Sequence, residues 1–367
     1  MTTLAGNPDA DVERRDALAT RLFEATLGAF DLITIHLGLT LGLYDALRDR
    51  GPATATGLAA QAGIDTRYAR EWLEQQAVSG ILDVDDVAAD AKARRYSLPP
   101  GHAEALLDPE SPAAAQSMVR FALSGAGMVA PLADAYRSGA GVRSDAYPDH
   151  VLAQELANRP IFRHTLTTDW LPAIPDIDAR LRRGGARIAD IASGAGWAAI
   201  AMARAYPTAA VDGLDIDAES VERARRNAAA EDMAEDRVRF HLADAGRPDL
   251  QGKFDLVTIF EAVHDLARPV EVLEAARRLL VPGGAALVVD ENVAETFTAP
   301  GDDVERMMYG YSVLFCLAQS RADPPSVATG TVMRPATLQR YATEAGFARV
   351  TVLPIQHDFF RLYRLDP

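Results

Sequence analysis

Two stretches hold residue types at spacings that could do chemistry. The first is RIADIASGAGW at residues 187–197, answered by an acid in GLDID at 213–217. Residues 187–191 are short and mostly apolar, which predicts a buried strand. Ser193, Gly194, Ala195 and Gly196 then supply a small-residue turn before an alanine-rich helix that opens at Trp197. Backbone N–H groups left over at such a helix start, beside glycines, let a polar ligand approach the main chain. A second strand at 210–215 ends in Asp215, about 20 residues past the glycines, the usual place for a carboxylate that holds ribose hydroxyls. The expected ligand is a nucleoside derivative. Gly194, Gly196 and Ala199 also satisfy the dinucleotide spacing GxGxxA, so the loop alone fits more than one cofactor.

The second stretch, FEAVHDLARP at 260–269, follows the apolar run FDLVTIF at 254–260. In an open parallel sheet, ligands gather beyond the carboxyl ends of the strands where strand order reverses, and this loop shares that edge with those after Asp190 and Asp215. Glu261, His264 and Asp265 are therefore the titratable groups placed for catalysis. An imidazole titrates near neutrality and can take a proton. The same histidine could equally be structural, capping the next helix, and both readings stand.

The surroundings decide the cofactor. Asp190 precedes the glycine loop, LADA at 242–245 follows a third strand, and LLVPGGAALVVDE at 279–291 closes with Glu291. In this order, residues 187–291 resemble the class I S-adenosylmethionine-dependent methyltransferases. The resemblance implies that Asp190 and the Ser193 to Gly196 backbone face the amino acid part of the cofactor, Asp215 the ribose and Asp244 the adenine. Trp197, Ile216, Ala245 and Phe260 complete the expected cofactor wall. The loop departs from the family's DxGxGxG at Ala192, where a methyl group implies a modest change of geometry. His264 and Asp265 resemble the HD pair of plant-type O-methyltransferases, in which the histidine removes a phenol proton; Leu266 stands where that family has tryptophan. Because methyl transfer from a sulfonium is a displacement on a strongly activated carbon, alignment can supply most of the catalysis without a strong base. His164, Trp170, Glu291 and Tyr309 are second-rank candidates for the acceptor pocket. A magnesium-dependent variant would need converging carboxylates such as Asp265, Asp290 and Glu291. The winged helix described below and the HD loop favour the metal-independent type. His102, His150, His241 and His357 show no ligand spacing, so no metal site is expected.

Composition bounds the partners. The 367 residues suit two domains, and 52 acidic against 37 basic residues give a net charge of −15, which disfavours phosphate backbones and anionic membranes. One cysteine, Cys316, excludes an internal disulfide and matches a reducing compartment. No secretory signal is evident, and Asp31 and His36 interrupt the most apolar helical stretch, so no membrane span is expected. These features predict a cytoplasmic enzyme.

The elements that must position these residues follow in chain order. Residues 1 to 15 are expected to be disordered and 17–48 to form one helix, apolar on more than one face at 27–47, which a dimer interface would cover. Helices at 55–61 and 66–79, then strands at 81–84 and 94–98, spell out a winged helix. Its would-be recognition segment, residues 65–79, carries net charge −1, and residues 1–100 carry −5, the wrong sign for reading DNA. Dimerisation and pocket closure fit better, and the resemblance implies the same, since small-molecule O-methyltransferases commonly pair through such a domain. Residues 101–184 are expected to be a helical, proline-punctuated linker covering the cofactor edge. Residues 185–367 alternate strand and helix, with a cap insertion at 292–334 and an antiparallel hairpin formed by 348–355 and 359–365. The fold class is thus α/β: a doubly wound, Rossmann-like domain, seven-stranded by resemblance, behind a mainly helical winged-helix domain. The function implied is methylation of a small molecule, an aromatic or polyketide-like acceptor at oxygen, by a homodimer with no nucleic acid or membrane partner. Two alternatives remain: an S-adenosylmethionine-binding enzyme that does not methylate, and a ligand-sensing regulator.

Overall fold

A computed structural model describes residues 8–247, 250 and 253–367. The chain divides into two compact units at Leu123/Ser124, so residues 101–123 belong to the first and 124–184 to the second.

In the first unit, helix Pro8–Thr40 is followed by helices Leu43–Arg50, Ala55–Ala62 and Thr66–Val78 and by the antiparallel pair β1 (Asp83–Val84) and β2 (Tyr96–Ser97). This is the expected winged-helix order. Two expectations change. Residues 8–15 are helical rather than disordered, while residues 1–7 lie outside the described part. The long helix also stops at Thr40, because Gly42 adopts φ 65, a left-handed conformation that suits glycine and lets the chain restart at Leu43. The helix Pro8–Thr40 is long and apolar enough by composition to cross a membrane, with Asp31 inside it. Asp31 Oδ1 accepts from Gln75 Nε2 at 3.1 Å and Ser79 Oγ at 2.6 Å, and Trp72 Nε1 donates to the Thr34 carbonyl at 3.0 Å, so this end of the helix is docked on helix Thr66–Val78. Toward its start the same helix exposes Leu22, Phe23, Leu27 and Phe30.

The second unit is built on one sheet. Among the described residues it comprises β3 (Arg187–Ile191), β4 (Ala210–Asp215), β5 (Val238–Leu242), β6 (Phe254–Phe260), β7 (Leu280–Glu291), β8 (Arg349–Val352) and β9 (Phe360–Asp366), in the spatial order β5-β4-β3-β6-β7-β9-β8. The first five are parallel and β9 is antiparallel to both β7 and β8. Side chains alternate faces along each strand. Ile188, Leu256, Leu287 and Val289 pack into one core layer, and Ala189, Val257, Ala286 and Val288 into the other. Burial on both faces explains why these strands are continuous apolar runs rather than alternating ones. Strand order reverses between β3 and β6, which places the loops after Ile191 and Phe260 side by side at the carboxyl edge. Pro282 to Gly284 lie inside β7, and the β6/β7 register shifts between Phe254 and Leu256. The covering helix of the cap is interrupted: Asp303–Tyr311 is α-helical, Ser312–Cys316 is π-helical, and Leu317–Ser320 is α-helical again. A second π-helical segment, Phe162–Trp170, extends the helix His150–Ile161. Single π turns recur where a helix must present side chains to a site.

Candidate active site

Beyond the carboxyl edge of the parallel strands lies a cavity of about 610 Å³, lined by the loops after β3, β4, β5 and β6. Its floor is the glycine loop. Ala192 takes φ 56, a conformation an alanine adopts at a cost of about 1 kcal/mol, which is why the family pattern has glycine there. Gly194 (φ 51) has open space where a side chain would stand, whereas a Cβ on Gly196 (φ 83) would come within 2.5 Å of the Phe240 ring. One glycine keeps the ligand side clear and the other lets the helix start pack against β5. Ser193 N–H donates to the Leu214 carbonyl at 2.9 Å and Gly194 N–H to Asp215 Oδ2 at 2.8 Å. Asp215 Oδ1 accepts from Asp217 N–H at 2.9 Å, so this acid ties the ends of two strands together. Burial raises the Asp215 carboxyl above its ordinary range, against these backbone donors.

Asp190, Ser193, Gly194, Gly196, Trp197, Asp215, Ile216, Asp244, Ala245 and Phe260 all line this one cavity, as the sequence grouped them. Asp190 is 2% exposed, and burial lifts its carboxyl to about 7 although Thr258 Oγ1 donates to it at 2.6 Å. Asp190 Oδ2 and Ser193 Oγ are buried without a hydrogen-bond partner, a polar surface that a charged amino acid moiety would satisfy. Trp197 is fixed by its Nε1–H donating to Glu155 at 3.0 Å and by Arg159 over its ring at 4.0 Å. Asp244 Oδ1 caps the turn at Gly246 N–H, 2.8 Å away. Phe260 packs on Phe162, ring centroids 5.4 Å apart. The donor set therefore fits a nucleoside carrying an amino acid, with the glycine loop and Asp190 for one end and Asp215 and Asp244 for the other.

The loop after β6 sorts its three acid–base groups differently. Glu261 and Asp265 line the cavity; His264, 2% exposed, does not. Its Nδ1 lies 2.8 Å from Asp290 Oδ1 and 3.0 Å from Glu291 Oε2, and its Nε2 is 3.5 Å from Asp265 Oδ1. Burial alone would lower the imidazole pKa, but Glu291, Asp290 and Asp265 outweigh it and raise it well above the ordinary value. Asp290 is held below its ordinary value by the histidine, while burial pushes Glu291 well up. The three carboxyl groups thus hold His264 toward its charged form, and the histidine in turn holds Asp290 toward its ionised form. A histidine held toward its charged form is less free to take a proton than a neutral one. It does not cap the next helix either: Pro269–Leu279 has Arg268 at its N-cap and no side-chain cap bond. The same groups, and His264 with Asp265 and Cys316, lie within 4.8 Å of one another, close enough for a cation, but the imidazole N–H already meets the carboxylates.

The second-rank residues scatter. Trp170 is 1% exposed and packs edge-on against His357 and Phe360 in the core. His164 is exposed, and neither residue lines the cavity. Tyr309 accepts from Arg334 Nη2 at 3.3 Å and meets Phe297 edge-on. Glu291 belongs to the His264 cluster. Residues that sequence reasoning did not single out for the site come from helix His150–Ile161, which supplies His150, Gln154, Glu155 and Asn158 to the wall. His150 is stacked on Phe315 at 5.6 Å, with Nε2 3.3 Å from Gln319 Nε2. Burial lowers its pKa, opposed by Asp265, so it is a neutral imidazole on the cavity wall. The only available signal was the aromatic and histidine content of 136–170.

Residues 183–333 match the methyltransferase domain family, and residues 29–107 match the Rv2258c-like winged HTH domain. The 27-O-demethylrifamycin SV methyltransferase of Amycolatopsis mediterranei (strain S699) is 36% identical over 126 residues, 34% of this chain and 46% of that protein. A ubiquinone biosynthesis O-methyltransferase of Psychrobacter arcticus is 26% identical over 182 residues, 49% of this chain and 66% of that protein. The chain therefore spans about half to two thirds of the curated relatives it matches. Among solved structures, the mitomycin 7-O-methyltransferase MmcR superposes with a TM-score of 0.66 at 21% identity, covering 97% of this chain and 99% of that one. Human N-acetylserotonin methyltransferase in complex with S-adenosylmethionine gives 0.65 at 19% identity, covering 100% and 99%. The methyltransferase-domain match thus falls on the unit that carries the cavity, and the Rv2258c-like winged HTH match on the first unit.

Proposed function

We propose that the protein transfers a methyl group from S-adenosylmethionine to an oxygen of a small, aromatic or polyketide-like acceptor, as a cytoplasmic, metal-independent homodimer. The observation that carries this reading is the single cavity in which Asp190, the glycine loop, Asp215 and Asp244 converge, inside a matched methyltransferase domain. When bound, the cofactor supplies a methyl group on a positively charged sulfur. Asp215 and Asp244 hold the nucleoside, the loop at 192–196 admits the amino acid end, and Phe260 with Phe162 closes an apolar wall that excludes water. Asp265 and the neutral His150 are the polar groups on the wall suited to orient an acceptor hydroxyl and receive its proton. His264 serves as a positioning residue that ties the loop after β6 to Asp290 on β7. Oxygen as the acceptor atom is supported by similar proteins named as O-methyltransferases of rifamycin, ubiquinone and mitomycin. The exposed apolar side chains of helix Pro8–Thr40 support the dimer.

Incubation with methyl-tritiated S-adenosylmethionine and a panel of phenols, hydroxyquinones and polyketide aglycones tests the reading. Label in an organic-extractable ether supports it; tight cofactor binding with no transfer to any member favours a non-methylating use of the fold. A winged-helix regulator is the second reading, on the strength of the matched HTH family. A salt-sensitive gel shift on DNA would favour it, and the acidic first unit argues that none will be seen.

A further inference from the structure

Glu261 is the first residue past β6, at the point where strand order reverses and directly beside the glycine loop after β3. It holds φ 50, a left-handed conformation unusual for a glutamate, and its N–H donates to the Val289 carbonyl at 2.7 Å. Strained backbone of this kind persists where the surroundings impose it, and it marks sites where a side chain must be aimed. The carboxyl lines the cofactor cavity. Gln154 Nε2 donates to its Oε2 at 3.3 Å, and Asn158, with its amide oriented as its neighbours require, donates to both oxygens at 3.2 Å. Two neutral amides thus fix a carboxyl group in the wall, and among the described residues no cation is hydrogen-bonded to it. The charged and titratable groups around it are His264 and Asp265 from its own loop, Asp290 from β7 and Tyr311 from helix Asp303–Tyr311. Burial, reinforced by Asp290 and Asp265 and opposed by His264, lifts its carboxyl to about 8.

A carboxyl group held in the cavity wall by neutral amides and pushed upward by its surroundings needs a reason. On the reading above, Asp190 and the glycine loop would hold the cofactor's amino acid end and Asp215 its ribose, so the sulfur that joins the two would fall between them. In the donor that sulfur is a cation; in the demethylated product it is neutral. We propose that Glu261 recognises the sulfonium charge: the donor binds to the ionised carboxylate, and the displaced proton leaves to solvent, whereas the neutral product binds to the protonated acid. No covalent bond to the cofactor forms, and one proton passes to buffer for each cation taken up. The site would then grip the donor and loosen on the product, with a preference set by pH.

This inference rests on the cofactor reading above, and one experiment separates their failures. S-adenosylmethionine and S-adenosylhomocysteine are each titrated calorimetrically into the full chain at pH 7, in phosphate and in Tris, whose different ionisation enthalpies report protons exchanged. The expected result is release of close to one proton with the sulfonium and of far less with the thioether. The donor-to-product affinity ratio should also rise at least about fivefold between pH 6.5 and 8.5, as linkage to a single acid requires. Glu261→Gln should abolish the extra proton and the pH dependence of the ratio while binding the thioether within about twofold of the unaltered protein. Equal proton release with both ligands, or release unchanged in Glu261→Gln, overturns the proposal while leaving the cofactor reading intact. Failure of both ligands to bind the unaltered protein overturns both.

Discussion

His264 Nδ1 lies 2.8 Å from Asp290 Oδ1, joining the loop after β6 to the end of β7 through a buried ion pair. Removing one partner of such a pair leaves the other charge uncompensated, at a typical cost of about 3 to 5 kcal/mol. His264→Gln should therefore lower the denaturation midpoint markedly, as read by chemical unfolding. The pH dependence has a defined sign. A histidine whose folded pKa is raised contributes stability that is fully present below about pH 6.5 and is lost as pH rises through its folded value, which here lies well above that. The unaltered protein should lose stability on the alkaline side, and His264→Gln should flatten that limb. An unchanged alkaline limb would mean the imidazole is not charged in the fold.

Gly194 and Gly196 make a paired test of the loop. Both have positive φ, but a Cβ meets nothing within 4 Å at Gly194 and strikes Phe240 and Ala224 at Gly196. Gly194→Ala should cost about 1 kcal/mol of backbone strain and act chiefly on ligand approach. Gly196→Ala adds overpacking of about 1 to 3 kcal/mol. Thermal unfolding should rank Gly196→Ala clearly below Gly194→Ala; equal midpoints would contradict the packing described for the helix start.

Phe23 and Phe30 stand exposed on helix Pro8–Thr40 at 65% and 58% of their full accessibility. If a second copy covers them, light scattering of the purified protein should give twice the chain mass, and Phe23→Asp with Phe30→Asp should give the single-chain mass. A monomer before substitution, or a dimer that survives it, would send the search for the interface elsewhere.

Strand runs, the glycine loop and its acids were legible because each is a local signal: period, small residues, and an acid at fixed spacing from a turn. Asp190, Asp215 and Asp244 meet in one cavity because topology alone brings strand ends together. What was not legible depended on packing across long separations. The partners of His264 lie 26 and 27 residues away on β7, and whether its ring opens to the cavity or is enclosed by carboxylates has no local signature. Trp170 looked suited to a pocket, yet a tryptophan with apolar neighbours is equally good core, and there it packs against His357. Helix His150–Ile161 entered the site through residues such as Gln154 and Asn158, whose types are unremarkable until they face Glu261. The early start of the first helix has no local signature either, because residues 8–15 are mostly polar and carry no apolar face to announce a helix.

The central claim is that Asp215 and the glycine loop hold S-adenosylmethionine, and titration of that cofactor into the unaltered protein and into Asp215→Ala tests it most directly. Losing a charge-assisted contact to the ribose together with the bond to Gly194 N–H should weaken binding about 30-fold or more, since such hydrogen bonds contribute about 1.5 to 3 kcal/mol each. Circular dichroism should show the fold retained. Binding of equal strength by the two proteins would contradict the assignment of this site.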